Sequence, residues 1–176
     1  MIGLIALRWI LGLVVMVCTG LMGRILAGSV RERPRQLAVL QASLARMETS
    51  ICHGMMFLPE ALEELAGVTP GPVRYLFLEA AHLLVQEELP MALAWRRAIL
   101  AARGYLVFTR DDERVLLMLG NSLGISPRDD QIRHLTAAKS QLARLEAEAR
   151  EKEQHLARLY HALGWAAGVI LILILI

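Results

Sequence analysis

The stretch RQLAVLQASLARMETSI, residues 35–51, decides the fold. Its large apolar side chains, Leu37, Leu40, Leu44, Met47 and Ile51, recur at alternating spacings of 3 and 4. An α-helix turns once in about 3.6 residues, so that spacing gathers all five on one face. A strand would need strict alternation, and the chain shows almost none. Pro34 suits the first turn of this helix, because the N–H that proline lacks is not needed there. The helix is predicted to run about five turns and to end near Gly54.

Downstream, the same reading places further helices. Leu58-Pro59-Glu60-Ala61-Leu62 restarts one, with Gly67 as its stop. Thr69-Pro70-Gly71-Pro72 is a loop. A third helix is expected at about Val73–Glu88, with Leu76, Phe77, Ala80 and Leu84 inward. Pro90 opens a fourth, in which Leu93, Ala94, Arg97 and Leu100 mark successive turns with Trp95 beside them, and Gly104 ends it. Thr109 caps a fifth, with Asp111, Asp112 and Glu113 in its first turn, where acids suit the helix dipole. Val115, Leu116, Leu119 and Leu123 form its core side. Ser126-Pro127 opens the last helix, with Asp129 and Asp130 in its first turn, and no breaker follows until Gly164. Along it Ile132, Leu135, Leu142, Leu145, Leu156, Leu159 and Leu163 keep near-heptad spacing. The fold class expected is all-α: an antiparallel bundle of about six helices, the long first and last side by side.

The chain has 176 residues, 56% hydrophobic, with a mean hydropathy of +0.46. That excess sits at the two ends. Ile2–Met22 is apolar apart from Arg8, and Ala162–Ile176 is apolar throughout. A bilayer core of ~30 Å needs ~20 apolar helical residues. The first segment meets that need, with Arg8 snorkelling or paired. Its rival reading, a cleaved signal peptide, suffers from the large Ile25 where a small residue is wanted ahead of the cut. The second segment is short. It spans with bilayer thinning or enters part way, with Tyr160 and Trp165 as interfacial aromatics. The expected organisation is a transmembrane anchor at 1–23, a helical domain at 24–161 and a C-terminal transmembrane segment at 162–176. Arg24, Arg31, Arg33 and Arg35 flank the first segment, and Arg150, Lys152 and Arg158 precede the second. The positive-inside rule therefore puts the middle domain in the cytoplasm.

Composition excludes several functions. A net charge of +2 with 5% aromatics offers neither the field nor the stacking platforms of a nucleic-acid binder. Cys18 and Cys52 are expected at different depths, and no Cys/His cluster has metal-ligand spacing. There is no GxxxxGKS/T phosphate loop, no GxGxxG and no HExxH. His134 has Asp130 four residues earlier, a spacing read as a helix surface pair, and Glu60, Glu63 and Glu64 read as a solvated face. No catalytic residue, cofactor, metal or small-molecule substrate is expected, and the chain is not read as an enzyme.

Two features invite a binding hypothesis. Arg31-Glu32-Arg33-Pro34-Arg35 is either a topology signal or a membrane-proximal basic cluster, completed by Arg24, that touches anionic headgroups at ~1 kcal/mol per cation. Leu119-Gly120-Asn121-Ser122-Leu123-Gly124 is either a C-cap with close helix packing or a small-residue notch that accepts a partner. Leu58, Pro59 and Glu60 belong to the same turn-bearing end as Gly120, Ser122 and Gly124, and these six are the candidate partner-binding residues. A reading from another class makes the chain a membrane-anchored coiled-coil signalling module, a parallel dimer through Leu142 and Leu145.

On these residues the sequence resembles the stage III sporulation protein AB family. The likeness rests on the N-terminal anchor, Arg31-Glu32-Arg33-Pro34-Arg35-Gln36-Leu37, Leu58-Pro59-Glu60-Ala61-Leu62, Leu119-Gly120-Asn121-Ser122-Leu123-Gly124, Arg128-Asp129-Asp130-Gln131 and the apolar tail, in that order. It covers the whole chain. His53–Phe57 departs from the family's pattern, which has a more polar turn there. The resemblance implies a role in endospore formation, in a secretion-like channel between mother cell and forespore. It also implies a helical domain like those of type II secretion and type IV pilus platform proteins, in the mother-cell membrane around the forespore. Implied partners are other stage III sporulation membrane subunits and a secretion-type ATPase, stage III sporulation protein AA, with membrane lipids around the anchors.

Overall fold

The computed structural model describes residues 31–52, 57–124 and 127–175. Ile2–Met22, Cys18, Arg24, residues 53–56, Ser126 and Ile176 lie outside the described residues. All regular structure described is helical, with no strand among these residues. The order is α1 (31–52), α2 (Leu58–Val68), a 3-10 turn (Gly71–Val73), α3 (Arg74–Gln86), α4 (Met91–Ala102), α5 (Arg110–Gly120) and α6 (Arg128–Leu175).

Two compact units are distinguished, and the larger spans Arg33–Glu148. Within it Leu37, Leu40, Leu44 and Met47 of α1 are fully buried, as the 3–4 spacing requires. α6 answers with Leu135, Ala138 and Leu142, also buried. Polar rungs tie the two helices together. Gln41 Nε2 donates to Glu146 Oε2 at 2.6 Å, and Thr136 Oγ1 donates to Glu48 Oε1 at 2.6 Å, with Lys139 on the same carboxylate. Residue numbers rise on one helix as they fall on the other, so the pair is antiparallel. Between them, α2 packs on α3, α3 on α4 and α4 on α5. Each fully buried leucine contributes about 1.5–3 kcal/mol relative to exposure.

Trp95 is the largest fully buried side chain, and it organises the centre. Its ring lies 6.0 Å from that of Phe77, and its Nε1 donates to the Leu116 carbonyl at 2.9 Å. An indole donor buried without an acceptor would be costly, so this bond fixes α4 against α5.

Several local expectations are corrected. Of the residues marking the turns of α4, Leu93 and Leu100 are 41% and 51% exposed and Ala94 is buried. The face through Ala94, Trp95, Ala98, Ile99 and Ala102 is inward, because the large indole and its small neighbours fit against α3 and α5. In α3 it is Leu83, and not Leu84, that is buried along with Leu76. Asp130 pairs with Arg133 on its own helix, not with His134, since Arg133 presents a longer side chain at i+3. Leu142 is fully buried inside the chain's own fold, so the seam required for a parallel dimer through α6 is already occupied.

The second unit contains, among described residues, 31–32 and 149–175. Arg31 Nε donates to Glu153 Oε1 at 3.0 Å there. α6 itself runs 48 residues unbroken, about 72 Å, and carries the apolar tail as far as Leu175. Among the described residues no helix is long and apolar enough to cross a membrane.

Candidate functional site

The ends of α1, α2 and α6 meet around a cavity of about 280 Å³ within the larger unit. Ile51 comes from the last turn of α1, Leu58 and Ala61 from the first turns of α2, and Arg128 and Gln131 from the first turn of α6. Phe57 forms the lip and is 78% exposed. Pro59 within the first turn of α2 sets that helix's start, since its missing N–H costs no bond there. Gly124 closes the wall in a left-handed turn at φ +79°, where a side chain is strained. A Cβ at that position would stand 3.2 Å from Met91 Cβ and 3.5 Å from Leu58 Cδ2. Backbone and side chains thus approach closely only because the residue is glycine. The walls are mostly apolar, and the Arg128 guanidinium is exposed beside them.

The six residues proposed for a partner-binding end divide into two groups. Leu58 and Gly124 line the cavity, with Pro59 half-buried beside it and Glu60 exposed. Gly120 and Ser122 are interior. A Cβ on Gly120 would fall 2.3 Å from Trp95 Cδ1, an impossible contact, so this glycine exists to seat the indole. Ser122 is buried, and its hydroxyl donates to the Leu119 carbonyl at 2.8 Å, finishing the end of α5. The close-packing reading therefore holds for Gly120 and Ser122, and the notch is made by Gly124 with Leu58.

The arginine cluster divides as well. Arg31 is exposed and bonded to Glu153. Arg35 is exposed. Arg33 turns inward: Nε and Nη2 donate to the two Asp112 oxygens at 2.9 and 2.8 Å, and Nη2 reaches Thr109 Oγ1 at 3.2 Å. The Asp112 side chain is wholly buried. Its hydrogen bond to Arg33, reinforced by the attraction of opposite charges and opposed by burial, raises the arginine's already high pKa. Arg33 is thereby removed from any set that faces headgroups. Thr109 caps α5 as expected, and Asp112 reciprocates by accepting from the Thr109 N–H at 2.8 Å, forming a capping box. Gln36 Oε1 accepts from the Val107 N–H at 2.9 Å one turn further along α1. Two side chains of α1 thus anchor the α4–α5 connection. The sequence carried one hint of this, an acid at the third position after Thr109, but nothing in it paired that acid with Arg33.

Among the described residues no three His, Cys, Asp or Glu side chains gather to hold a metal ion, and Cys52 is a free, exposed thiol. Glu60, Glu63 and Glu64 are all exposed on α2.

Fold and groove together define an all-α bundle whose helix ends form an apolar notch. The family model for stage III sporulation protein AB matches residues 8–176. The stage III sporulation protein AB of Bacillus subtilis (strain 168) is 30% identical over 161 residues, covering 92% of this chain and 94% of that protein. A solved structure of stage III sporulation protein AB superposes with a TM-score of 0.67 at 29% identity, covering 70% of this chain and 98% of that one. The chain belongs to the stage III sporulation protein AB family.

Proposed function

We propose that this chain is a non-catalytic platform subunit of the secretion-like channel that joins mother cell and forespore during sporulation. Membership of the family carries the sporulation part of the reading. The apolar notch of Phe57, Leu58, Ala61 and Gly124 beside Arg128 carries the platform part. A concave apolar site with one charged group at its edge suits a partner's side chains, as docking grooves do. In this reading the two apolar ends hold the chain in the mother-cell membrane around the forespore, with the helical domain cytoplasmic. Arg24, Arg31 and Arg35 then lie toward lipid headgroups. The partners are other stage III sporulation membrane subunits and a secretion-type ATPase, stage III sporulation protein AA, with no nucleic acid and no small-molecule substrate.

The test replaces two exposed residues, Phe57→Asp with Arg128→Glu, in a deletion strain complemented with the tagged full chain. Heat-resistant spores should fall sharply while the variant accumulates normally, and the ATPase or another stage III subunit should no longer copurify. Normal spore counts with unchanged copurification would refute the notch as the docking site. Normal spores from the deletion strain itself would refute the platform role.

A further inference from the structure

The notch at the ends of α1, α2 and α6 carries charge of one sign. Ile51, Leu58 and Ala61 supply its apolar walls, and Phe57 stands 78% exposed at the lip. Its polar lining is Arg128 and Gln131, three residues apart in the first turn of α6. That spacing puts both on one face of the helix. Arg128 is exposed and has no carboxylate partner among the described residues.

Acids are near in sequence, but none of them lines the cavity. At 3.6 residues per turn, Asp129 and Asp130 fall roughly 100° and 200° round α6 from Arg128. Asp130 is also held by Arg133. Glu60 falls roughly 200° round α2 from Leu58. Glu48, one turn before Ile51 on α1, is engaged by Lys139 and Thr136. Glu88 is exposed three residues before Met91, the residue against which Gly124 packs. The cavity therefore offers apolar walls and a single charge, which is positive. The first turn of the 48-residue α6 adds the positive end of its dipole.

These properties select the occupant. A large apolar side chain fills the walls and covers Phe57, whose exposed ring is otherwise a cost in water. A guanidinium with no counter-ion takes a carboxylate, which its planar fork can bind with two parallel hydrogen bonds. A Lys or Arg in the occupant would be repelled at the same place. Arginine and aromatic residues side by side are also the types that carry binding energy at protein interfaces.

We infer that the notch takes an acidic segment of another protein, in which Asp or Glu lies within one helical turn of a large apolar residue. Arg128 holds the carboxylate, and the apolar side chain enters between Phe57 and Leu58. This rests on the notch as a docking site and adds the chemistry of what docks there.

The test places Arg128→Lys in the full-length chain as its sole copy in sporulating cells. A water-soluble carbodiimide then joins an amine to a carboxylate in contact with it, as an amide with no spacer. Membrane-extracted product is digested and the joined peptides are sequenced by mass spectrometry. A link from position 128 to Asp or Glu of another protein is expected, with a large apolar residue within one helical turn of that acid. Arg128→Glu should lower recovery of that protein with the tagged chain by about tenfold or more. Reversing the identified acid to Lys in the partner should restore it. Arg128 is exposed, so helical content by circular dichroism should not change.

A link only within this chain, or only to a second copy of it, would overturn the inference. So would a linked acid with no apolar neighbour, recovery indifferent to Arg128→Glu, or recovery not restored by the reversed charges. The platform role is read separately, from the stage III subunits that copurify with the wild-type chain. Their presence without any link at position 128 refutes the acidic occupant alone, and their absence refutes the platform role.

Discussion

Arg33 on α1 grips Asp112 on α5 with two parallel hydrogen bonds of 2.9 and 2.8 Å, and the carboxylate has no exposed surface. The same carboxylate accepts from the N–H and hydroxyl of Thr109, at 2.8 and 2.9 Å. One buried anion thus joins a helix cap to a helix distant in sequence. Removing Arg33 would leave that anion buried beside only neutral donors. Arg33→Ala is expected to destabilise the chain by about 3 kcal/mol. Arg35→Ala, at an exposed position two residues on, should cost well under about 1 kcal/mol. Thermal unfolding followed by circular dichroism separates the two.

Gly120 and Gly67 give opposite expectations for one substitution. Gly120→Ala drives a methyl into the Trp95 ring and should destabilise by about 1–3 kcal/mol or more. Gly67, inside α2, has nothing within 4 Å of the position a Cβ would take. Gly67→Ala should be neutral or stabilise by up to about 1 kcal/mol, because alanine loses less backbone entropy in a helix. Tryptophan fluorescence, in a variant retaining Trp95 alone, would report the first change and not the second.

Glu48 joins α6 to α1 through Lys139 and Thr136. The hydrogen bond from Lys139, then that from Thr136, holds its pKa below the ordinary glutamate value. A carboxylate depressed on folding contributes stability that is complete above its unfolded pKa, ~4.3, and is lost as pH falls through the lower folded value. Melting temperature should therefore decline more steeply below about pH 4.5 in the wild type than in Glu48→Gln. Parallel pH profiles for the two would refute this coupling.

Leu142 is buried and Cys52 is exposed. In the native full chain Cys52 should react with a water-soluble maleimide within minutes. Leu142→Cys, in a Cys18→Ser, Cys52→Ser background, should react only on unfolding and should form no disulfide dimer. Rapid oxidation to a dimer at that position would revive the parallel coiled coil.

Much of the fold is legible in the sequence because helix periodicity is local. Leu37, Leu40, Leu44 and Met47 declare one face by spacing alone, and all four are fully buried. Thr109 with acids after it declares a helix start, and the capping box is there. Where spacing is ambiguous it leaves the inner face open. In α4, Leu93 and Leu100 match helical spacing as well as Ala94 and Ala98 do, and hydrophobicity favours the leucines. Only the neighbouring helices decide that the bulky Trp95 goes inward with small residues around it.

The functional surfaces follow the same division. By itself the sequence determined that the chain is helical, where most helices begin and end, and which long helices carry apolar seams, because those properties depend on residues three or four apart. Tertiary structure alone decided that Arg33 serves a buried anion 79 positions away. It alone separated Gly120, which seats an indole, from Gly124, which shapes a groove. Such roles depend on which helix abuts which, and at what distance. Contact across the bundle sets them, and no local period encodes it.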